Sequence, residues 1–198
     1  AMALPEDDRT AACADRRRVL LSGLSVALAA MVPARRLFAA TTEAPRSLSF
    51  VHTHTGEELS VTYFRSGSYD DAALTRINVL LRDFRNEAVH PIDPQLLDAL
   101  HVLRCQCHSS EPFQIISGYR SPATNATLRG KSEASGVAEH SLHMEGRAID
   151  IRLPGLATRQ LAVQARALQV GGVGFYRVSD FVHVDTGRVR LWGDPVGT

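Results

Sequence analysis

Glu139-His-Ser-Leu-His-Met-Glu-Gly-Arg-Ala-Ile-Asp-Ile151 is the stretch on which the reading of this chain turns. From Ala148 to Leu153 the residues alternate, and the run stops at Pro154-Gly155, so it predicts a short strand. Asp150 lies inside that strand between Ile149 and Ile151 and faces burial, where a carboxylate needs a partner or a metal. His143 falls at the edge of a loop, and Gly146 lets the chain bend between the two. A second stretch, Ser179-Asp-Phe-Val-His-Val-Asp-Thr-Gly187, sets His183 inside another apolar strand.

Two imidazoles and one carboxylate, with water in the fourth position, make the open tetrahedral site typical of catalytic zinc. Such a site lowers the pKa of its water to about 7. Spacing alone leaves a second reading open. Each histidine fits a satisfied core position, and Asp150 could pair with Arg147 or Arg152.

Outward from this centre, Leu48–His54 and Glu58–Phe64 flank Thr55-Gly56-Glu57 as a β-hairpin. Asp70–Phe84 has a helical period and Asp70 suits its cap. Pro94–Leu103 repeats the period, with Asp93 as N-cap and Pro94 as the first helical residue. Phe113–Ile116 reads as a strand, Ala123–Leu128 as a short helix and Gly130–Gly136 as a flexible loop. Leu156–Val170 is an amphipathic helix, and Phe181–Asp185 with Val189–Trp192 is expected as a closing antiparallel pair. Helices come first and short strands cluster later, which predicts an α+β domain: a small antiparallel sheet flanked by helices.

Charge and composition narrow the function. The net charge is +1. Residues 1–44 carry six arginines against five acids, leaving a balanced remainder without the basic footprint of a nucleic-acid binder. Arg16-Arg17-Arg18 leads into the uncharged run Val19–Val32 and then Pro33. That is the pattern of an export signal, of twin-arginine type, and it is short for a membrane span. Residues 1–44 are therefore expected to be signal and linker, and 45–198 the working domain. The destination is the periplasm or cell envelope, with no stable membrane span after processing. Cys105 and Cys107, at the end of a helix, are badly placed to close on each other, and no further ligand group at structural-zinc spacing accompanies them.

Ser141-x-His143-x-x-Gly146-x-Ala148-x-Asp150 followed by a strand histidine resembles the signature of the zinc peptidases that group D-Ala-D-Ala peptidases, lysostaphin-type enzymes and Hedgehog domains. Within that group the chain is most similar to the YcbK/MepK-type murein endopeptidases. His52-Thr-His-Thr-Gly-Glu57, Ser117-Gly-Tyr-Arg-Ser-Pro-Ala-Thr-Asn125 and Phe181-Val-His-Val-Asp-Thr-Gly187 carry the likeness, in order, over roughly residues 47–195.

The resemblance implies a Hedgehog/D-Ala-D-Ala-peptidase-like fold, a Zn2+ cofactor held by His143, Asp150 and His183, and hydrolysis of peptidoglycan stem peptides; a monomer is expected. In related peptidases an acid three residues before the last metal histidine is the general base, and Asp180 occupies that position. Asp185 is its rival, because residues two apart on a strand share a face. Arg120 resembles the arginine that steadies the oxyanion. Ser141 and His140 are expected to contact substrate, with His140 also a proton-transfer candidate, and His52 and His54 to be structural. Two other readings stand beside the endopeptidase: a carboxypeptidase trimming a terminal D-amino acid, and a non-catalytic wall-binding module. The Lys131–Ala138 loop is expected to wall the substrate groove in either enzyme.

Overall fold

A computed structural model describes residues 44–130 and 138–193. The expected export signal thus lies outside the described residues, as does nearly all of the loop expected to wall the groove.

The hairpin expected at the start is β1 (Arg46–His52) and β2 (Glu58–Arg65), with a two-residue β3 (Ser68–Tyr69) on the outer side of β2. Helix α1 (Asp71–Leu80) begins where Asp70 accepts the N–H groups of Ala72 and Ala73, both at 3.0 Å. Helix α2 (Pro94–Gln106) begins where Asp93 accepts Gln95 N–H at 2.9 Å. Both caps satisfy N–H groups that no helical carbonyl reaches. There follow β4 (Phe113–Ser117), α3 (Pro122–Gly130), a 3-10 turn (Leu142–Glu145), β5 (Ala148–Arg152), α4 (Thr158–Leu168), β6 (Gly172–Tyr176), β7 (Phe181–Asp185) and β8 (Arg190–Trp192).

The α+β class holds, but the sheet is neither small nor purely antiparallel. All eight strands form one mixed sheet in the order β3-β2-β1-β4-β5-β7-β6-β8. β1 and β4 run parallel, because α1 and α2 carry the chain across before β4 joins the free edge of β1. The expected β7–β8 pair does not exist. Both edges of β7 are taken, by β5 and β6, so β8 joins the open edge of β6 and runs parallel to it.

Alternation along the strands sorts the two faces. Phe50, Ile115, Ile149, Ile151, Val182 and Val184 are buried in one core with Ile77 of α1, Leu97 and Leu100 of α2, and Leu161 of α4. Truncating any of these large side chains to alanine costs about 2–5 kcal/mol. Asp150 and His183 have the opposite parity on β5 and β7, so the core on one face fixes what the other face displays.

Helix α1 stops at Leu80, short of the expected Phe84. The Leu81 carbonyl accepts Tyr119 N–H at 2.8 Å, Asp83 turns inward, and Phe84 stacks on His54 at 4.2 Å between ring centroids. Cys107 is a free, half-buried thiol, so it is not bridged to Cys105.

Candidate metal centre

The antiparallel register of β5 and β7 sets Asp150 directly opposite His183. Side chains so paired stand about 5 Å apart on one face of the sheet. His143 arrives from the 3-10 turn, which Gly146 closes at φ +66°. A Cβ at Gly146 would lie 2.1 Å from the Pro91 carbonyl oxygen, so no other residue fits that turn.

Three atoms converge. His183 Nδ1 lies 2.9 Å from Asp150 Oδ1, His143 Nε2 lies 3.3 Å from the same oxygen, and the two nitrogens are 3.2 Å apart. Ligands around a tetrahedral zinc sit roughly 3.3 Å from one another, by the bond lengths such sites use. The trio has the spacing of one face of that tetrahedron.

The protons on the two rings are fixed from behind. His143 Nδ1 donates to the Gly118 carbonyl at 2.7 Å, which leaves Nε2 with its lone pair. His183 lies between two acceptors, Nε2 3.0 Å from Asp185 Oδ2 and Nδ1 2.9 Å from Asp150 Oδ1; with its proton on Nε2, Nδ1 keeps a lone pair toward the trio. Two lone pairs and a carboxylate therefore face each other in a buried site, an arrangement that repels itself unless a proton or a cation lies between. Backing each ligand imidazole with a carbonyl or carboxylate is how metal sites orient histidine.

The electrostatics follow. Burial opposes a charge on Asp150, but the two histidines outweigh it and hold its carboxyl far below the usual range. Burial also depresses His143, which faces Asp150 alone. His183 lies between Asp150 and Asp185, and those two carboxylates overcome burial and raise its pKa. A metal bound there would compete with a proton for His183.

A cavity of about 330 Å3 opens over the trio, lined by Arg120, His140, Ser141, Tyr176 and Trp192 among others. Arg120 brings Nη2 to 3.8 Å from Asp150 Oδ2, while its Nε is buried without a partner among the described residues. His140 is exposed on the rim, and Ser141 precedes the 3-10 turn without a side-chain cap bond. Trp192 Nε1 donates to Tyr176 OH at 3.1 Å, making an aromatic wall beside His183. Tyr119, by contrast, packs on His90.

The two acids weighed as general base both lie elsewhere. Asp185 is fully buried behind His183. Its oxygens accept from His183, from the N–H groups of Gly172 and Gly187, and from Arg190 at 2.7 and 3.1 Å. Burial would raise its pKa, but those donors hold it well below the usual range. Asp180 occupies the turn before β7 with φ +51° and a largely exposed side chain, bonded to Thr158 and 3.6 Å from Arg152, outside the cavity lining. The i to i+2 rule put Asp185 on the face of His183, but it does not tell a carboxylate beside the imidazole from one folded behind it. His52 is buried, its Nδ1 accepting His54 N–H at 3.2 Å and its Nε2 without a partner among the described residues; it is not one of the converging trio.

Comparison with known proteins adds a family. The family described as Peptidoglycan L,D-endopeptidase MepK matches residues 40–192. Proteins named peptidoglycan L,D-endopeptidase MepK from Escherichia coli (strain K12) and Shigella flexneri are each 38% identical over 179 residues, covering 90% of this chain and 97% of theirs. A protein named probable peptidoglycan L,D-endopeptidase MepK from Haemophilus influenzae is 36% identical over 178 residues, covering 89% of this chain and 94% of its own.

Proposed function

The chain belongs to the peptidoglycan L,D-endopeptidase MepK family, and on that footing we propose that it is a zinc peptidase cutting L,D crosslinks between peptidoglycan stem peptides. The observation that carries this reading is the trio itself: three lone-pair donors converge at the floor of an open cavity, each imidazole turned to face inward by a partner behind it. The donor set of two imidazoles and one carboxylate fits zinc.

His143, Asp150 and His183 would hold the ion, and bound there it supplies a water of lowered pKa and a Lewis-acidic pull on the scissile carbonyl. Arg120 lines the cavity and presents a fixed cation where charge develops on the carbonyl oxygen. Proton transfer to the leaving amine falls to His140, an imidazole on the cavity rim. Asp185 holds the His183 tautomer rather than moving a proton, because all its lone pairs are engaged. Ser141 and the Tyr176–Trp192 wall bound the substrate.

All three candidate ligands come from one chain, which supports a monomeric enzyme. Adjacent strands bearing the acid and the last histidine favour a D-Ala-D-Ala-peptidase-like plan. The Arg-rich, apolar N-terminal run favours action in the cell envelope after export. No helix among the described residues is long and apolar enough to cross a membrane.

The test is a digest of crosslinked muropeptides with and without zinc, beside His183→Ala. Zinc-dependent conversion of dimers to monomers, lost in the variant, is the expected result, and product masses identify the bond. Loss of one terminal residue from intact dimers would replace this reading with a carboxypeptidase. No cleavage with zinc bound would leave a wall-binding module.

A further inference from the structure

Asp83 is fully buried, yet it takes no part in the metal centre. Its acceptors are filled by uncharged donors: Oδ2 takes Ser121 N–H at 2.9 Å and Oδ1 takes Arg85 N–H at 3.2 Å. None of the ion pairs among the described residues includes it, although its charge attracts the Arg120 guanidinium at longer range. A buried carboxylate outside any close ion pair is costly.

What it holds is the segment Gly118–Ser121. Three contacts fasten one side of that segment to the turn that follows α1: Leu81 O accepts Tyr119 N–H at 2.8 Å, Asp83 accepts Ser121 N–H, and Asn86 Nδ2 donates to Ser121 Oγ at 2.8 Å. Gly118 lies so close to Leu81 that a Cβ there would sit 2.6 Å from the Leu81 carbonyl oxygen. The other side of the segment faces the metal centre. The Gly118 carbonyl accepts from His143 Nδ1 at 2.7 Å, and Arg120 N–H donates to the His143 carbonyl at 3.1 Å. The peptide that Asp83 grips is the one immediately after Arg120.

We infer that Asp83 is a positioning residue of the peptidase site, acting through the Ser121 amide to fix the Arg120 guanidinium against the scissile carbonyl. The inference rests on the endopeptidase reading above. It requires the Arg120 geometry to degrade when the clamp is loosened, while the fold and the bound metal persist. Asn at position 83 keeps the shape but meets one of the two N–H groups with a donor instead of an acceptor. Loss of one oxyanion donor costs about 100- to 1000-fold in kcat, so a misplaced one costs a fraction of that.

The test compares wild type, Asp83→Asn, Arg120→Ala and the double variant on crosslinked muropeptides at saturating zinc, with metal content and cooperative melting measured for each. The expected result is a kcat loss of about 10- to 100-fold for Asp83→Asn with KM changed less than about threefold. In the Arg120→Ala background the same change should cost almost nothing, because residues acting as a unit are not additive. Multiplicative losses, or full activity in Asp83→Asn, overturn the inference while leaving the endopeptidase standing. A wild-type chain that leaves the dimers intact sinks the endopeptidase reading, and this inference with it. Should Asp83→Asn fail to fold, Asn86→Ala loosens the same clamp from an exposed residue. It is expected to lower kcat about two- to fivefold in wild type and to be silent in Arg120→Ala. Equal losses in both backgrounds sink the idea.

Discussion

The two histidines of the metal centre are held by opposite means. His183 stands on β7 beside Asp150 on β5, its place set by a regular ladder and its ring turned by a carboxylate two residues on. His143 stands on a single 3-10 turn, its ring turned by a main-chain carbonyl from a loop that Asp83 and Leu81 fasten in place. A strand ligand inherits the precision of the sheet. A loop ligand has to be braced by buried polar contacts, and damage to those braces should act at a distance.

The sharpest break in this contrast is removal of a ligand outright. His183→Ala should lose stoichiometric zinc and reduce crosslink cleavage by more than about 1000-fold, measured by metal analysis and muropeptide turnover. Next is the backing on the sheet side: Asp185→Asn should weaken zinc affinity or activity about 10- to 100-fold, read by competition with a chelator. On the loop side, Gly146→Ala forces a Cβ into the Pro91 carbonyl at positive φ. It should lower stability by more than about 1 kcal/mol in denaturant unfolding, with zinc affinity falling alongside.

The loop brace also carries a pH signature. Burial opposes ionisation of Asp83, but its hydrogen bonds outweigh that and hold its pKa below the ordinary value. A depressed carboxylate stabilises the fold above its unfolded pKa of about 3.9, and that contribution is lost as pH falls through the lower folded value. The difference in melting temperature between wild type and Asp83→Asn should therefore shrink as pH drops from about 6 towards 3. A gap that widens on acidification would contradict the assignment. The smallest effect belongs to Asp180→Asn, expected to change turnover by about twofold or less because its carboxylate serves Thr158 and Arg152 at the surface. A loss near 100-fold would restore Asp180 as the general base.

The same division governs what could be read in the sequence. Strands β5 and β7 show alternation, the caps Asp70 and Asp93 announce themselves, and the order of His143, Asp150 and His183 is written in the motif. Which strands become neighbours is not local. Nothing in Arg190–Trp192 says that β8 will find β7 already occupied on both edges. Helical period carried the reading of α1 on to Phe84, because the pattern cannot register that Leu81 gives its carbonyl to Tyr119, far along the chain. Asp83 gave no signal at all. Read as part of a helix running to Phe84, this acid looks solvated until the segment it grips folds over it.

The pairing of Asp150 with His183 makes the centre a gauge of strand register. A slip of one residue between β5 and β7 would turn the imidazole toward the helices and bring Val182 or Val184 opposite the acid, erasing the pocket for the ion. Capture of a metal would thus report that this seam of the sheet has closed correctly. An ion once seated acts as a rivet across it, so chelation should quicken amide exchange first at the β5–β7 ladder.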